Sequence, residues 1–498
     1  MSGEALSTLL ARGERVPTHL PWLRVVVDTP AWQDAIRHLG DGTLAMLALW
    51  AEPGMVHMAL LDGQAMGVIS LACPRGSFPS VARLHPPALR MERAIADLWG
   101  LVAEGLPDRR PWLDHGAWGV HFRADVPAEP YAFLPAEGEG MHQVPVGPVH
   151  AGTIEPGHFR FTASGETVVR LEQRLGYTHR GLLRLMEGAG LDQAARLAAR
   201  ACGDSTVAYG LAFTRAAEAA QGLAPPPRAV WLRALMAELE RIANHLGDFG
   251  AICNDAGFAL ILAHAAVLRE DVLRAADAAF GHRLMRDAVV PGGVARDLDA
   301  AGTSALHAAL ATVGKRLPLL VEIYDATASL QDRTVTTGIV GAELVRQYAA
   351  GGYVGRASGR DFDARRDLSY APYGRLHFTV PVRAEGDVNA RVWIRILELE
   401  QSLGLCRQLL DGMPAGELRM EPAGIEAPRE GLAVVEAFRG EVLCWLRLAP
   451  DGTVERCHLR DASWLQWPLL EAATEGNIIA DFPMCNKSFN CAYAGVDL

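Results

Sequence analysis

GPVHAGTIEPGHFRF (residues 147–161), LEQRLGYTHRGLLRLMEG (171–188) and ARACGDSTVAYGLAFTRAAE (199–218) are the runs around which this 498-residue chain is organised. Closely spaced Gly and Pro make the first a turn-rich loop leading into a strand that ends near Val169. The second has apolar residues at Leu171, Leu175, Leu182, Leu185 and Met186, a spacing that predicts a helix. In the third, Cys202, Ser205 and Tyr209 stand at i, i+3 and i+7, one face of a helix. Two loop histidines (His150 and His158), a carboxylate among apolar neighbours (Glu155) and a lone helical cysteine exceed what packing requires.

Half the residues are apolar and the formal charge is −11, which argues against nucleic acid and against adhesion to an anionic membrane surface. The length predicts two or three domains. Residues 1–22 mix polar and apolar side chains without the apolar core of a signal peptide. The longest apolar run, 258–268, contains His264 and falls short of the ~20 residues that span a bilayer. The eight cysteines are scattered with no CxxC, so reduced thiols are expected and a protein-ligated iron–sulfur cluster is not.

Short apolar runs at 23–27, 44–50, 55–61 and 65–72 predict a small sheet, and 30–38 and 86–105 predict helices opening on proline. Residues 136–147 (AEGEGMHQVPVG) have linker composition. Helices are expected over 229–246, 260–279, 305–330 and 387–410, and strands over 375–382, 432–438 and 442–448. The glycine-rich loop 351–367 lacks dinucleotide-binding GxGxxG spacing; its Arg356, Arg360, Asp361 and Asp363 form either a proton or docking network or a solvated surface.

The three opening runs resemble the catalytic subunit of energy-converting, membrane-bound nickel–iron hydrogenases, and equally the quinone-pocket subunit of respiratory complex I. Residues 78–118 are similar to the small α+β subunit that sits beside the latter. The resemblance implies an α+β chain. A small module at 1–135 and a linker at 136–147 would precede a mainly helical hydrogenase-large-subunit-like domain at 148–498 with small β elements. Glu92 and Asp97, in the small module, are expected to cap or pair on its surface.

In the hydrogenases two CxxC motifs hold the metals. Here the first reads Cys202-Gly203-Asp204-Ser205 and the second aligns with Cys491-Ala492-Tyr493-Ala494. A hydroxyl and a methyl are poor substitutes for soft thiolates, so no nickel–iron site is expected. A gap of five residues separates Cys485 from Cys491, the partner it would need for chelation, and a zinc site from Cys457, His458, Cys485 and Cys491 has nonstandard spacing. Glu155 resembles the hydrogenases' proton-relay glutamate; burial would raise its pKa, and pairing with Arg174 is the competing expectation. The quinone-contacting His and Tyr of the complex I subunit align with Pro156 and with Cys202–Gly203, while Tyr209 stands where hydrogenases carry His.

Candidate catalytic residues are therefore Glu155, His150, Cys202, Tyr209 and Asp361, and candidate cofactor-contacting residues are Ser205, His158, His179 and Arg356, with no metal ligands. The resemblance implies an oxidoreductase subunit without a cofactor of its own, peripheral on the inner, cytoplasmic face of the cell membrane. It would assemble with an iron–sulfur small subunit, a ferredoxin-like subunit and antiporter-like membrane subunits. Quinone reduction or a purely structural coupling role are the alternatives.

Overall fold

The computed structural model describes residues 3–123, 131–150, 154–421 and 424–498, and the fold is α+β. The predicted N-terminal strands form Arg24–Val27, Ala45–Glu52, Met55–Asp62 and Ala65–Ala72, with Glu14–Arg15 at the edge. Two hairpins are closed by two-residue turns in which Gly54 and Gly63 take positive φ, pairing Glu52 with Met55 and Asp62 with Ala65. The strands are apolar on both faces because both are covered. The Thr29–Gly40 helix, capped by Asp28, lays Trp32, Ile36 and Leu39 into the core. On the other side Trp50 stacks on His57 and on His458, with Trp445 against them.

That contact joins the first sheet to a C-terminal one built from Arg429–Ala437, Gly440–Leu448 and Val454–Arg460. His19–Leu20 adds a parallel strand to this second sheet, and Arg24 pairs with Glu430 across the junction at 3.0 Å.

Several expectations are corrected. The helix expected over 86–105 is a 3-10 turn, Pro86–Ala88, followed by Leu89–Trp99. Gly100 ends it at φ 67, and Val102–Glu104 pairs as a strand with Ser77–Pro79. Glu92 and Asp97 are buried rather than on the surface. Ser80 Oγ donates to Glu92 at 2.7 Å, and burial pushes the Glu92 carboxyl up to about 7. Asp97 accepts the amides of Trp112 and Leu113, each at 2.7 Å, so both carboxylates organise loops.

Between 136 and 174 the chain makes a three-stranded sheet, Met141–Val146, His158–Ser164 and Thr167–Arg174, the first inside the segment of linker composition. The helix predicted from residue 171 is therefore only Leu182–Met186. Leu171 belongs to a hairpin whose turn contains Gly165 at positive φ. Residues 375–382 form no strand; the amides of His377 and Thr379 bond instead to Gln408 and Gln401 on the neighbouring helix.

Five long helices, Thr206–Gln221, Pro227–Asp255, Ala259–Phe280, Ala300–Ala326 and Val388–Asp411, make up the central body. Asp299 and Asp387 cap the last two with side-chain bonds to Gly302 N and Ala390 N. Among the described residues no helix is long and apolar enough to cross a membrane.

Candidate functional site

Four segments meet at the N-terminus of the Thr206–Gln221 helix: the turn 202–205, the hairpin tip at Arg439–Gly440, the Asp461–Ser463 turn and the chain 490–494. The Cys202–Ser205–Tyr209 grouping holds, but not on one helix. Ser205 is the N-cap and Cys202 lies in the preceding turn.

At the centre is an ion pair. Arg439 Nη1 and Nη2 donate to the two carboxylate oxygens of Asp204 at 2.7 and 2.6 Å. The same Nη1 lies 3.2 Å from Ser205 Oγ and 3.7 Å from Cys202 Sγ, while Nε donates to the Asn490 carbonyl. Burial raises the Asp204 pKa, but the guanidinium outweighs it and holds the carboxyl below its usual range. Cys202 Sγ donates to Asp204 at 3.1 Å, and burial, reinforced by that carboxylate, pushes the thiol well up. Burial also raises the Cys491 thiol.

The hairpin reaches the site because glycines let it. A Cβ on Gly352 would meet the Arg439 carbonyl oxygen at 1.9 Å, and Gln466 Nε2 ties that oxygen down at 2.7 Å. Tyr209 OH donates to Asp461 Oδ2 at 2.7 Å, and Ser463 Oγ accepts the Ala492 amide at 2.9 Å. Behind the helix N-terminus, the amides of Val207 and Ala208 donate to Glu240 at 2.7 and 3.1 Å. Burial pushes this carboxyl up to about 8.

Glu155 comes close to this assembly: its Oε2 accepts the Ala494 amide at 3.0 Å. The expected burial among Ile154, Pro156 and Phe159 is not found, because Glu155 is exposed. Nor does it pair with Arg174, whose guanidinium lies 3.9 Å from the Tyr131 ring. His150 and His158 donate to the carbonyls of Gly157 (2.8 Å) and Gly147 (3.1 Å), tying the chain at 147–150 to that at 157–158; residues 151–153 lie outside the described residues. His179 donates to the Asp497 carbonyl at 2.6 Å and stacks on Trp118. Asp361 is exposed and pairs with Arg366, whereas Arg356 is buried in a separate charged cluster.

Asp204, Arg439, Asp461 and Asn490 were missed from the sequence. The one local signal was an Arg-Gly pair at the tip between two apolar strands. The donors at this point do not fit a metal held by four thiolates: two are cysteine sulfurs, one is a hydroxyl, one a methyl, and a guanidinium lies among them. Among the described residues no three His, Cys, Asp or Glu side chains are grouped to hold a metal. Cys457 is a free thiol beside the free Cys444 thiol of the adjacent strand.

A mainly helical body with this pocket, joined to a small α+β module, defines a large subunit of the hydrogenase–complex I class. Residues 255–431 match the family of the respiratory-chain NADH dehydrogenase 49 kDa subunit, and residues 26–132 that of the 30 kDa subunit. Formate hydrogenlyase subunit 5 of Escherichia coli is 30% identical over 436 residues, covering 84% of this chain and 77% of the relative. Hydrogenase-4 component G of the same organism is 31% identical over 435 residues, 84% and 76%. An NADH-quinone oxidoreductase subunit of Desulfotalea psychrophila is 31% identical over 341 residues, 68% and 91%. The chain belongs to this family of complex I and hydrogenase subunits, with the 30 kDa-type and 49 kDa-type parts fused in one polypeptide.

Proposed function

We propose that this chain is the fused large subunit of a membrane-associated, complex I-like oxidoreductase, in which electron transfer through partner-held iron–sulfur clusters is coupled to proton movement without a nickel–iron centre in this chain. The observation that carries the reading is the Arg439–Asp204 pair. The guanidinium supplies, as a fixed organic cation, the positive charge that the neighbouring carboxylate and thiols would otherwise take from a metal. Cys202 and Cys491 remain as protonated thiols beside it.

Glu155 is the residue that moves protons in this reading. It is exposed and anchored through one oxygen to the Ala494 amide, and its carboxylate can exchange protons with water or with a partner's donor. The partners are those that the hydrogenase resemblance implies: an iron–sulfur small subunit, a ferredoxin-like subunit and antiporter-like membrane subunits, with this chain peripheral on the cytoplasmic side. Two named relatives, a membrane-bound hydrogenase alpha subunit from Pyrococcus furiosus and formate hydrogenlyase subunit 5, support membership of a multi-subunit assembly.

The test is to purify the complex from its native membrane and assay it with reduced viologen. The reading expects co-purifying iron–sulfur subunits and no hydrogen evolution; hydrogen evolution, or isolation of the chain alone, would contradict it.

Quinone reduction is the second reading, favoured by a cavity of about 650 Å³ lined by Trp50, Trp99, Trp118, Ile95 and Phe122, with His179 on its wall. Saturable binding of a short-chain quinone, lost on His179→Ala, would favour it.

A further inference from the structure

Four carboxylates and three guanidiniums meet in the dry centre of the helical body, away from the Cys202 pocket. Glu238, Asp363, Glu398 and Glu436, and Arg241, Arg356 and Arg365, are each at most 3% exposed. Glu238 is surrounded by donors: Arg365 at 3.0 Å, Tyr373 OH at 2.6 Å, Ser402 Oγ at 2.7 Å and Arg241 at 3.3 Å. Asp363 accepts from Arg365 Nε and Nη2 at 3.0 and 2.7 Å. Glu398 accepts from Arg356 Nε and from His245 Nε2, at 2.7 and 2.8 Å.

Glu436 is the least well served. One guanidinium nitrogen, Arg356 Nη1, reaches it at 2.9 Å, and the same nitrogen also serves Asp363 at 3.5 Å. Among the described residues its other oxygen accepts only the Ala364 amide.

His245 cannot balance the charge. Burial lowers its pKa, and its Nδ1 has no acceptor among the described residues, so the ring is neutral with its one proton directed at Glu398. Four ionised carboxylates against three arginines would therefore leave a net negative charge in a dry core, which is costly. The charges around the cluster cancel in their own sets. Arg360 and Arg460 lie beside Glu441 and Asp461, Arg395 pairs with Asp248, and Arg439 pairs with Asp204. Arg215 and Arg391 stand outside these sets: Arg215 lies 4.4 Å from the Tyr370 ring in the wall of an open pocket of about 240 Å³, and Arg391 is held by the Gly386 and Gly338 carbonyls and by Ser488 Oγ.

We propose that this cluster is a single-proton store, with Glu436 as the carboxyl that carries the exchangeable proton. Two carboxylates sharing one donor separate their affinities. Burial and then the charge of Asp363 push Glu436 up, while the arginines outweigh burial at Asp363 and hold it down. Open space is near: Tyr370, whose hydroxyl accepts the Glu436 backbone amide at 3.1 Å, lines the same 240 Å³ pocket as Arg215. Glu436 also lies three residues from Arg439 on one hairpin, so charge arriving at the candidate site lies close to the store.

The test is infrared spectroscopy of the purified full-length chain near neutral pH. A protonated carboxyl shows a carbonyl stretch that a carboxylate lacks, and it shifts in deuterated water. Glu436→Gln is shaped like the protonated acid. It is expected to fold, to lose one such band, and to match or exceed the wild-type melting temperature in mildly alkaline buffer. Glu398→Gln, which removes an ionised partner of Arg356, is expected to melt lower. An unchanged carboxyl region in Glu436→Gln, or destabilisation of Glu436→Gln as severe as that of Glu398→Gln, would overturn the assignment.

Discussion

Removing either half of the Arg439–Asp204 pair is expected to cost different amounts. The Arg439 side chain is 5% exposed and that of Asp204 36%. Asp204→Ala strands a guanidinium in the interior, with only the Asn490 carbonyl, Ser205 Oγ and a thiol for company. Stranding a buried charge costs about 3–5 kcal/mol. Arg439→Ala leaves a carboxylate that water already reaches, and about 2 kcal/mol follows once solvent screening is allowed for. The double variant removes both charges and is expected to cost no more than Asp204→Ala alone, a coupling of roughly 2 kcal/mol. Because the Asp204 pKa is depressed in the fold, its contribution is present above the unfolded value of 3.8 and is lost as pH falls below it. The assay is thermal and denaturant unfolding of the four proteins at neutral pH, repeated in acid. Strictly additive losses, or a larger loss for Arg439→Ala than for Asp204→Ala, would refute the argument.

Glu155→Gln is expected to change stability by less than about 0.5 kcal/mol, because the residue is exposed, yet to alter the pH profile of electron transfer in the intact complex; an unchanged profile would remove Glu155 from proton handling. Gly352→Ala, at φ +62 with a Cβ position 1.9 Å from the Arg439 carbonyl oxygen, should cost about 2 kcal/mol or more, whereas Gly341→Ala, with nothing within 4 Å, should be nearly neutral by the same melting assay. All eight cysteines are buried, so a thiol reagent at neutral pH should label fewer than about one in the native chain and all eight after denaturation; rapid labelling of two would contradict the protonated Cys202 and Cys491.

The N-terminal sheet was legible because Gly54 and Gly63 punctuate runs that are apolar for their whole length, and the long helices because their apolar periodicity persists over many turns. Where the pattern was short it misled. Leu171 and Leu175 suit a helix, yet the turn at Gly165 pairs Leu171 with Phe161. Residues 375–382 alternate like a strand but have two glutamine side chains for neighbours rather than another strand.

Glu92 and Asp97 were read as surface charges because nothing local reveals that their partners are hydroxyl and amide groups of distant loops. Cys202, Ser205 and Tyr209 were found together because their spacing is local. Arg439 meets Asp204 across 235 residues and Asp461 meets Tyr209 across 252, separations at which a single sequence carries no pairing signal. Glu155 was expected to be buried yet stands exposed with its Oε2 on the Ala494 amide, since apolar sequence neighbours do not make a residue buried.

The central claim is that a guanidinium stands in for a metal. Nickel and iron should be measured by elemental analysis on the intact complex, purified without chelators, and on the isolated chain. The account predicts no nickel in either, and iron only when the partner subunits are present. Nickel near one per chain would mean that Cys202 and Cys491 find further ligands and that Arg439 yields its place, and the account would fail.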